Sequence, residues 1–252
     1  MSTNGNGIEL QGKVALVTGG SRGIGAAIAL QLARAGADVA LTYVRSAAKA
    51  EAVVKEIETL GRRGLAIQAN NTDAAAVEAS VATTKAQLGR LDILVNSAGI
   101  WHDGPIETVT LEQLDETMAV NFRAPFIASR AAAIAMADGG RIISIGSNLA
   151  ERVPNAGISL YSASKAALVG LTRGLARDLG PRGITVNVVH PGSTDTDMNP
   201  ADGDHAEEQR SRMAIPKFGS SDDIAGLVAW LAGPQGRFVT GAALTIDGGA
   251  NT

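Results

Sequence analysis

A short β-branched stretch, Val14–Thr18, runs directly into Gly19-Gly20-Ser21-Arg22-Gly23-Ile24-Gly25 and then into an alanine-rich helical pattern. This succession constrains the chain more than any other part of it. A strand that turns at once into a helix needs residues without side chains where the backbones meet. Gly19 supplies a tight turn, Gly23 lets the backbone come close to a phosphate group, and Gly25 lets the helix pack against the strand. Free N–H groups and the dipole at the helix start favour an anion, so the turn reads as a pyrophosphate cradle, with Ser21 and Ile24 taking part. Glycines also serve ordinary turns; their place between a first strand and a first helix gives these their meaning.

The rest of the chain repeats the alternation. Strands are expected at Val14–Thr18, Val39–Tyr43, Leu65–Ala69, Ile93–Asn96, Arg141–Ile145, Thr185–His190 and Ala243–Ile246. Several are apolar throughout, as strands buried on both faces are. Helical patterns fill 23–35, 46–60, 73–88, 110–137, 160–179 and 221–232. That order predicts an α/β fold of the doubly wound Rossmann type, a parallel sheet with helices on both faces. Residues 1–10, mostly polar, are expected to form a flexible tail without the pattern of a signal peptide, and 11–252 a single domain. Gly192 to Ser220 is long, charged and rich in Gly, Pro, Asp and Met. Loops of that length in compact domains are usually functional, so a substrate lid is expected near 193–220. In the helical stretch opened by Thr110, Gln113 can complete a capping box, and Pro125 denies the Asn121 carbonyl its helical donor.

Composition removes several function classes. With no cysteine, disulfides, thiolate metal sites and a thiol nucleophile are excluded. Three histidines, His102, His190 and His205, leave no expectation of a metal site. A net charge of −3 without a basic block predicts neither nucleic acid nor an anionic membrane as partner. No apolar run approaches the ~20 residues of a membrane span, and a cytoplasmic location is expected.

The cofactor can be narrowed from the end of the second strand. In an NAD-type site an acidic residue about 20 positions beyond the glycine turn binds the ribose 2′-hydroxyl. No acid occurs from Val39 to Ala50; the strand ends Tyr43-Val44-Arg45-Ser46. Arg45 and Ser46, with Arg22 from the glycine turn, suit a 2′-phosphate, so NADP(H) is the expected cofactor, with Tyr43 alongside.

Tyr161 and Lys165 are four residues apart at the start of a helical pattern and so share a face. A neighbouring ammonium favours the phenolate and is expected to lower the tyrosine pKa into a useful range. Alone, such a pair is ordinary surface spacing. Together with the glycine turn, Asn96-Ser97-Ala98-Gly99, Asn121, Ser147 and Pro191-Gly192, in this order, it resembles the short-chain dehydrogenase/reductase family over nearly the whole chain. The resemblance implies a seven-stranded parallel sheet, hydride transfer to or from a carbonyl or alcohol carbon, and a homotetramer. It implies that Tyr161 is the acid in reduction and the base in oxidation, and that Lys165 lowers its pKa and holds the nicotinamide ribose. Ser147 would orient the carbonyl. Asn121 would hold a relay water, for which its freed carbonyl is suited. Asn96, Ala98 and Gly99 would serve the adenosine side and brace the central sheet, with Ser97 where the family has a second Asn. Asn70-Asn71 stands where the family usually has an Asp for the adenine amino group, and an amide oxygen can accept the same bond. Pro191, Gly192, Thr194 and Thr196 would reach the nicotinamide. Ser144, His102 and His190 are read as structural or surface residues.

Within the family the chain is most similar to the 3-oxoacyl-acyl-carrier-protein reductases and to a branch reported to bind a cyclic dinucleotide. The carrier is acidic, and its reductases carry Lys and Arg before the fifth strand. Here Met136-Ala137-Asp138-Gly139-Gly140 stands there, with only Arg141 following, and Arg182 matches a second docking arginine, so half of the patch remains. Asp138 should repel an acidic carrier. Small or apolar ketones are therefore the expected substrates, with Ile100, Trp101, Leu149, Val153 and Met198 as a mostly apolar pocket. A carrier-thioester reductase and a nucleotide-sensing regulatory protein on the same fold are the alternatives. An epimerase or dehydratase with a larger C-terminal substrate domain is not expected.

Overall fold

The computed structural model describes residues 10–252. Its strands are β1 (Val14–Thr18), β2 (Asp38–Tyr43), β3 (Gly64–Gln68), β4 (Ile93–Asn96), β5 (Arg141–Ile145), β6 (Thr185–Pro191) and β7 (Ala243–Ile246). They form one seven-stranded parallel sheet in the order β3-β2-β1-β4-β5-β6-β7. The helices are α1 (Gly23–Arg34), α2 (Ala47–Thr59), α3 (Ala74–Leu88), α4 (Leu111–Met118), α5 (Ala124–Ala135), α6 (Ser159–Leu179), α7 (Ala206–Ser211) and α8 (Ser221–Ala232). The expected doubly wound Rossmann fold is the observed one. The strand order reverses at β1, which lies between β2 and β4. A crevice opens at such a reversal, beyond the carboxyl ends of the strands.

Period-two alternation divides the buried strand residues between two layers. Ala15 and Val17 pack with Ile28 and Leu32 of α1 and Val228 of α8. Val14 and Leu16 face the other way, with Val81 of α3 and Ala128 of α5. Since all five residues of β1 are buried, the run is apolar rather than alternating.

Three regions differ from expectation. Residues 1–9 of the expected tail lie outside the described residues. Leu10, assigned to that tail, is buried in the α1 layer, and its N–H donates to the Ala35 carbonyl at 2.8 Å. An apolar side chain this close to β1 has a hydrophobic layer to join. The stretch 110–137 starts with the expected capping box, Thr110 and Gln113 satisfying each other's backbone N–H groups. It is then not one α-helix: Ala119–Arg123 forms a π-helical turn, closed by the Ala124 N–H on the Ala119 carbonyl. Pro125 would clash with the Asn121 carbonyl in a regular α-helix and cannot donate to it, and the wider turn accommodates both defects. Finally, 192–220 is more ordered than a bare loop. It contains α7 and is tied by bridges between Thr194 and Gly219 and between Thr196 and Asn199. Among the described residues, no helix is long and apolar enough to cross a membrane.

The glycine turn is as crowded as its sequence implies. A Cβ on Gly25 would fall on the Gly19 carbonyl oxygen, and one on Gly20 would lie 2.6 Å from Leu41 Cβ. Gly25→Ala is therefore expected to destabilise the fold by about 1–3 kcal/mol through overpacking. A urea melt reads this directly, and an unchanged midpoint would mean that α1 can move off β1 freely.

Candidate active site

The carboxyl ends of the central strands open on a cleft of about 1330 Å³. One end is built from the glycine turn. Gly19 sits at φ +67° with its N–H on Thr42 Oγ1 at 3.0 Å, and a Cβ there would lie 2.9 Å from Ala98 Cα. Thr18 Oγ1 accepts the N–H groups of Ser97 and Ala98 at 3.1 and 3.2 Å, which ties the end of β1 to the loop after β4. Helix α1 begins without a side-chain cap and without an acid in its first turn. Helix α2 starts after Ser46 in the same condition. Both helix starts line the cleft, through Gly23, Ile24 and Ser46. Two sets of unclaimed N–H groups thus face a region that also holds Arg22 and Arg45.

Lys49, one turn into α2, also lines this end. It was missed, although its helical spacing from Ser46 could have placed it there. Its Nζ lies 3.2 Å from Asp197 Oδ2, and Arg22 approaches the same oxygen at 3.8 Å. The hydrogen bond from Lys49, and then the charges around it, hold the Asp197 carboxyl below its usual range. Ser21, Gly25, Tyr43, Asn70, Asn71, Ala98, Gly99, Pro191, Gly192, Thr194 and Thr196 line the cleft as well. The Asn70 amide oxygen accepts the Thr72 N–H at 3.1 Å, and Asn71 lines the cleft beside it with no side-chain partner among the described residues.

Asn96 is the exception in this group. It is buried and does not reach the cleft; its amide donates to Ser129 at 3.2 Å and Ser144 at 3.4 Å. As a residue inside β4, it brings its side chain between β5 and α5. It braces the sheet, and Ser144 is structural as expected.

The other end gathers Ser147 after β5, Tyr161 and Lys165 from the first two turns of α6, and Asn121 from the π-helical turn. Lys165 is buried, with its Nζ on the Ile145 carbonyl at 3.0 Å and 5.7 Å from the centre of the Tyr161 ring. Gly99 makes room for it, since a Cβ there would lie 3.3 Å from Nζ. Asn121 Oδ1 accepts the Ile100 N–H at 2.9 Å, and Nδ2 donates to the Ile100 carbonyl and Ser164 Oγ, each at 3.0 Å. The side chain is fully used in pinning the β4 loop and α6 to the π-helical turn.

Burial pushes the Lys165 ammonium down to about 8. Burial also pushes the Tyr161 phenol up to about 12, against an opposing hydrogen bond with Ser147. The expected lowering by Lys165 is thus corrected. The ammonium stands over the ring with its own charge disfavoured, and removal from water is the largest influence on the phenol.

Of the expected substrate pocket, Ile100, Trp101, Leu149 and Met198 line the cleft. The Trp101 ring lies 4.5 Å from that of Tyr161, inclined by 55°. Val153 does not line the cleft; it is 52% exposed while its neighbours Arg152 and Pro154 face inward. The wall is also more polar than expected, for Asn148, Arg152 and Asn251 join it. Asn251 Nδ2 donates to the Asn148 carbonyl at 2.9 Å, and Arg152 to the Ala250 carbonyl at 3.0 Å. These partners are about a hundred residues apart, and no local pattern announces them. Among the described residues, no acidic or histidine cluster could hold a metal ion.

Residues 19–251 match the family model described as enoyl-(acyl carrier protein) reductase. The chain is 46% identical over 237 residues to the cyclic-di-GMP-binding biofilm dispersal mediator protein of Escherichia coli, covering 94% of this chain and 96% of that one. It is 42% identical over 240 residues to the 3-oxoacyl-[acyl-carrier-protein] reductase of Staphylococcus aureus, covering 94% and 97%. The crystal structure of a short-chain dehydrogenase from Burkholderia cenocepacia in complex with NADP superposes with a TM-score of 0.96 at 64% identity, covering 97% of this chain and 100% of that one.

The buried ammonium has a cost that pH should reveal. Below about 8, Lys165 is charged in both the folded and the unfolded chain, and the penalty is full. As pH rises from there towards the ordinary lysine value of 10.5, the unfolded chain binds the extra proton and the penalty fades. Lys165→Met is expected to raise stability at pH 7 by about 1–4 kcal/mol, and less so at pH 10. Urea melts at the two pH values check the sign. In a spectrophotometric titration, the Tyr161→Phe difference should show no tyrosinate until the pH approaches about 12.

Proposed function

The chain belongs to the short-chain dehydrogenase/reductase family of oxidoreductases, and on that premise we propose that it reduces small or apolar ketones with NADPH. One observation carries the reading. Ser147, Tyr161 and Lys165 meet at the inner end of the same cleft whose outer end offers two uncapped helix starts and the cations Arg22 and Arg45.

The residues fit NADP(H), the cofactor of the Burkholderia relative. Gly19, Ser21, Gly23, Ile24 and Gly25 would hold the pyrophosphate at the start of α1, where a side chain on Gly19 would strike Ala98. Arg22, Arg45 and Ser46 would take the 2′-phosphate, beside Tyr43, and Asn71 the adenine. Pro191, Gly192, Thr194 and Thr196 would meet the nicotinamide, and Tyr161 and Lys165 its ribose. When bound, NADPH supplies the hydride.

The hydroxyls of Ser147 and Tyr161 orient the substrate carbonyl. As negative charge builds on its oxygen, the Tyr161 proton moves to it, because an alkoxide is a stronger base than a phenolate. The raised phenol pKa keeps that proton in place until then. Lys165 stabilises the phenolate left behind. The Asn121 carbonyl, deprived of a helical donor by Pro125, holds the water through which the proton returns. Residues 193–220 act as a lid, with Thr196, Asp197 and Met198 over the cleft. The single domain read from the sequence and a cytoplasmic homotetramer belong to the same reading. The exposed Phe126 and Ile134 on α5 and the fully exposed Phe238 would be covered between subunits.

Free ketones are favoured over carrier-bound thioesters by the state of Arg182. Its guanidinium binds Asp138 at 3.0 Å and the carbonyls of Ala133 and Met136, so this docking cation is already paired within the chain. A regulatory protein that binds a cyclic dinucleotide is the second reading, favoured by the likeness to the Escherichia coli protein. A sensor would not need a phenol, an ammonium and a hydroxyl at one point.

NADPH oxidation should be measured with a ketone panel, an acyl-carrier thioester and cyclic di-GMP as added ligand. Tyr161→Phe is expected to lower kcat/KM by at least about a hundredfold. Arg22→Ala and Arg45→Ala should each shrink the preference for NADPH over NADH by about tenfold to a hundredfold. Equal efficiency with NADH would refute the cofactor assignment. A thioester far better than every ketone would refute the substrate class.

A further inference from the structure

His190 is a buried titratable side chain that this mechanism leaves unused. It lies on β6, fully buried, next to the end of β5. The last backbone bond between the two strands there runs from the Gly146 N–H to the Val189 carbonyl at 2.7 Å. One residue later the backbone partner is replaced by a ring: the Ser147 N–H donates to His190 Nδ1 at 3.0 Å. Gly146 has no side chain, and a Cβ there would overlap Nδ1 and Cε1 of the ring. The imidazole therefore packs directly on the backbone that carries Ser147.

We propose that His190 is a positioning residue for Ser147, holding the Ser147 backbone so that its hydroxyl meets the substrate carbonyl. The proposal rests on the role given to Ser147 above. The far side of the turn is held independently. Ser147 Oγ accepts the Leu149 N–H at 3.2 Å, and Ser162 Oγ donates to the Leu149 carbonyl at 2.6 Å. Among the described residues, the His190 bond is the one contact that sets the Ser147 N–H itself.

The chemistry of the ring supports this role over simple filling. To accept from Ser147, Nδ1 must carry a lone pair, so the proton sits on Nε2. That atom is buried and has no partner among the described residues. An apolar side chain would fill the space without this cost. Burial holds the imidazole below its usual pKa; Glu151 pulls it up and Lys165 pushes it down. The neutral ring is the form that can accept.

Two variants and one spectrum test the proposal. In His190→Asn, the amide oxygen branches from the same carbon as Nδ1 and can accept the Ser147 N–H. In His190→Leu the volume is kept and the acceptor is lost. His190→Leu is expected to lower kcat by about tenfold to a hundredfold, the effect of a buried donor left unpaired. NADPH affinity, read by titrating its fluorescence, should stay at the wild-type value. His190→Asn should recover most of the lost kcat. Wild-type kcat in His190→Leu, or an equal loss in both variants, overturns the proposal. In nitrogen NMR of the wild-type protein, His190 should show a bare Nδ1 and a protonated Nε2; a protonated Nδ1 also overturns it. The spectrum needs no turnover. A wild type inactive on every ketone, with a bare Nδ1, would therefore refute the function assigned to Ser147 while leaving the His190 contact in place.

Discussion

Seven parallel strands must all finish at the same edge, because every crossover carries the chain back over a face to the side it started from. The loops after β1, β2, β4, β5 and β6 are consequently gathered along one rim. The reversal of strand order at β1 parts the crossovers to either side and opens a crevice in that rim. Contacts that no short segment could make follow from this. Thr18 holds the loop at Ser97, and Ser147 meets His190, 43 residues away. The cleft sits where parallel pairing forces unrelated stretches of chain together.

Polar groups assembled there are expensive to bury, and the structure handles each cost differently. Asn121 satisfies both ends of its amide with the Ile100 backbone and Ser164. Lys165 retains one carbonyl partner, and its charge is disfavoured. Tyr161 answers burial by holding its proton more tightly. These responses divide the labour. The well-satisfied amide is scaffold, whereas the groups with displaced protonation are the ones suited to exchange protons. A fold selected for stability alone would replace Lys165 with an apolar residue.

The outer end of the cleft follows electrostatics of another kind. Two helices start there without caps, and Arg22, Arg45 and Lys49 add positive charge. Asp197, from the segment over the cleft, partly balances Arg22 and Lys49 at 3.8 and 3.2 Å. All three side chains are more than half exposed, so these pairs are screened and weak. On the other side of the cleft, Arg152 and Asn148 are tied to Ala250 and Asn251, so this distant stretch forms part of the wall.

Local order was legible because it is written in local patterns. Glycines between a strand and a helix, apolar runs, the capping box at Thr110 and the four-residue step from Tyr161 to Lys165 all act within a few positions. These specified the doubly wound sheet, most element boundaries, and the identity of the groups at the cleft. Pro125 signalled a defect at Asn121, but only packing decided that the helix would widen rather than break. The inward turn of Asn96, the outward turn of Val153, the pairing of Asp197 with Lys49 and the seat of His190 under Ser147 depend on distant segments meeting. So does the protonation of Tyr161. Sequence proximity placed an ammonium near the phenol and implied a lowered pKa. Burial reversed the sign, because desolvation depends on everything that surrounds a group, and that is set only when the whole chain has folded.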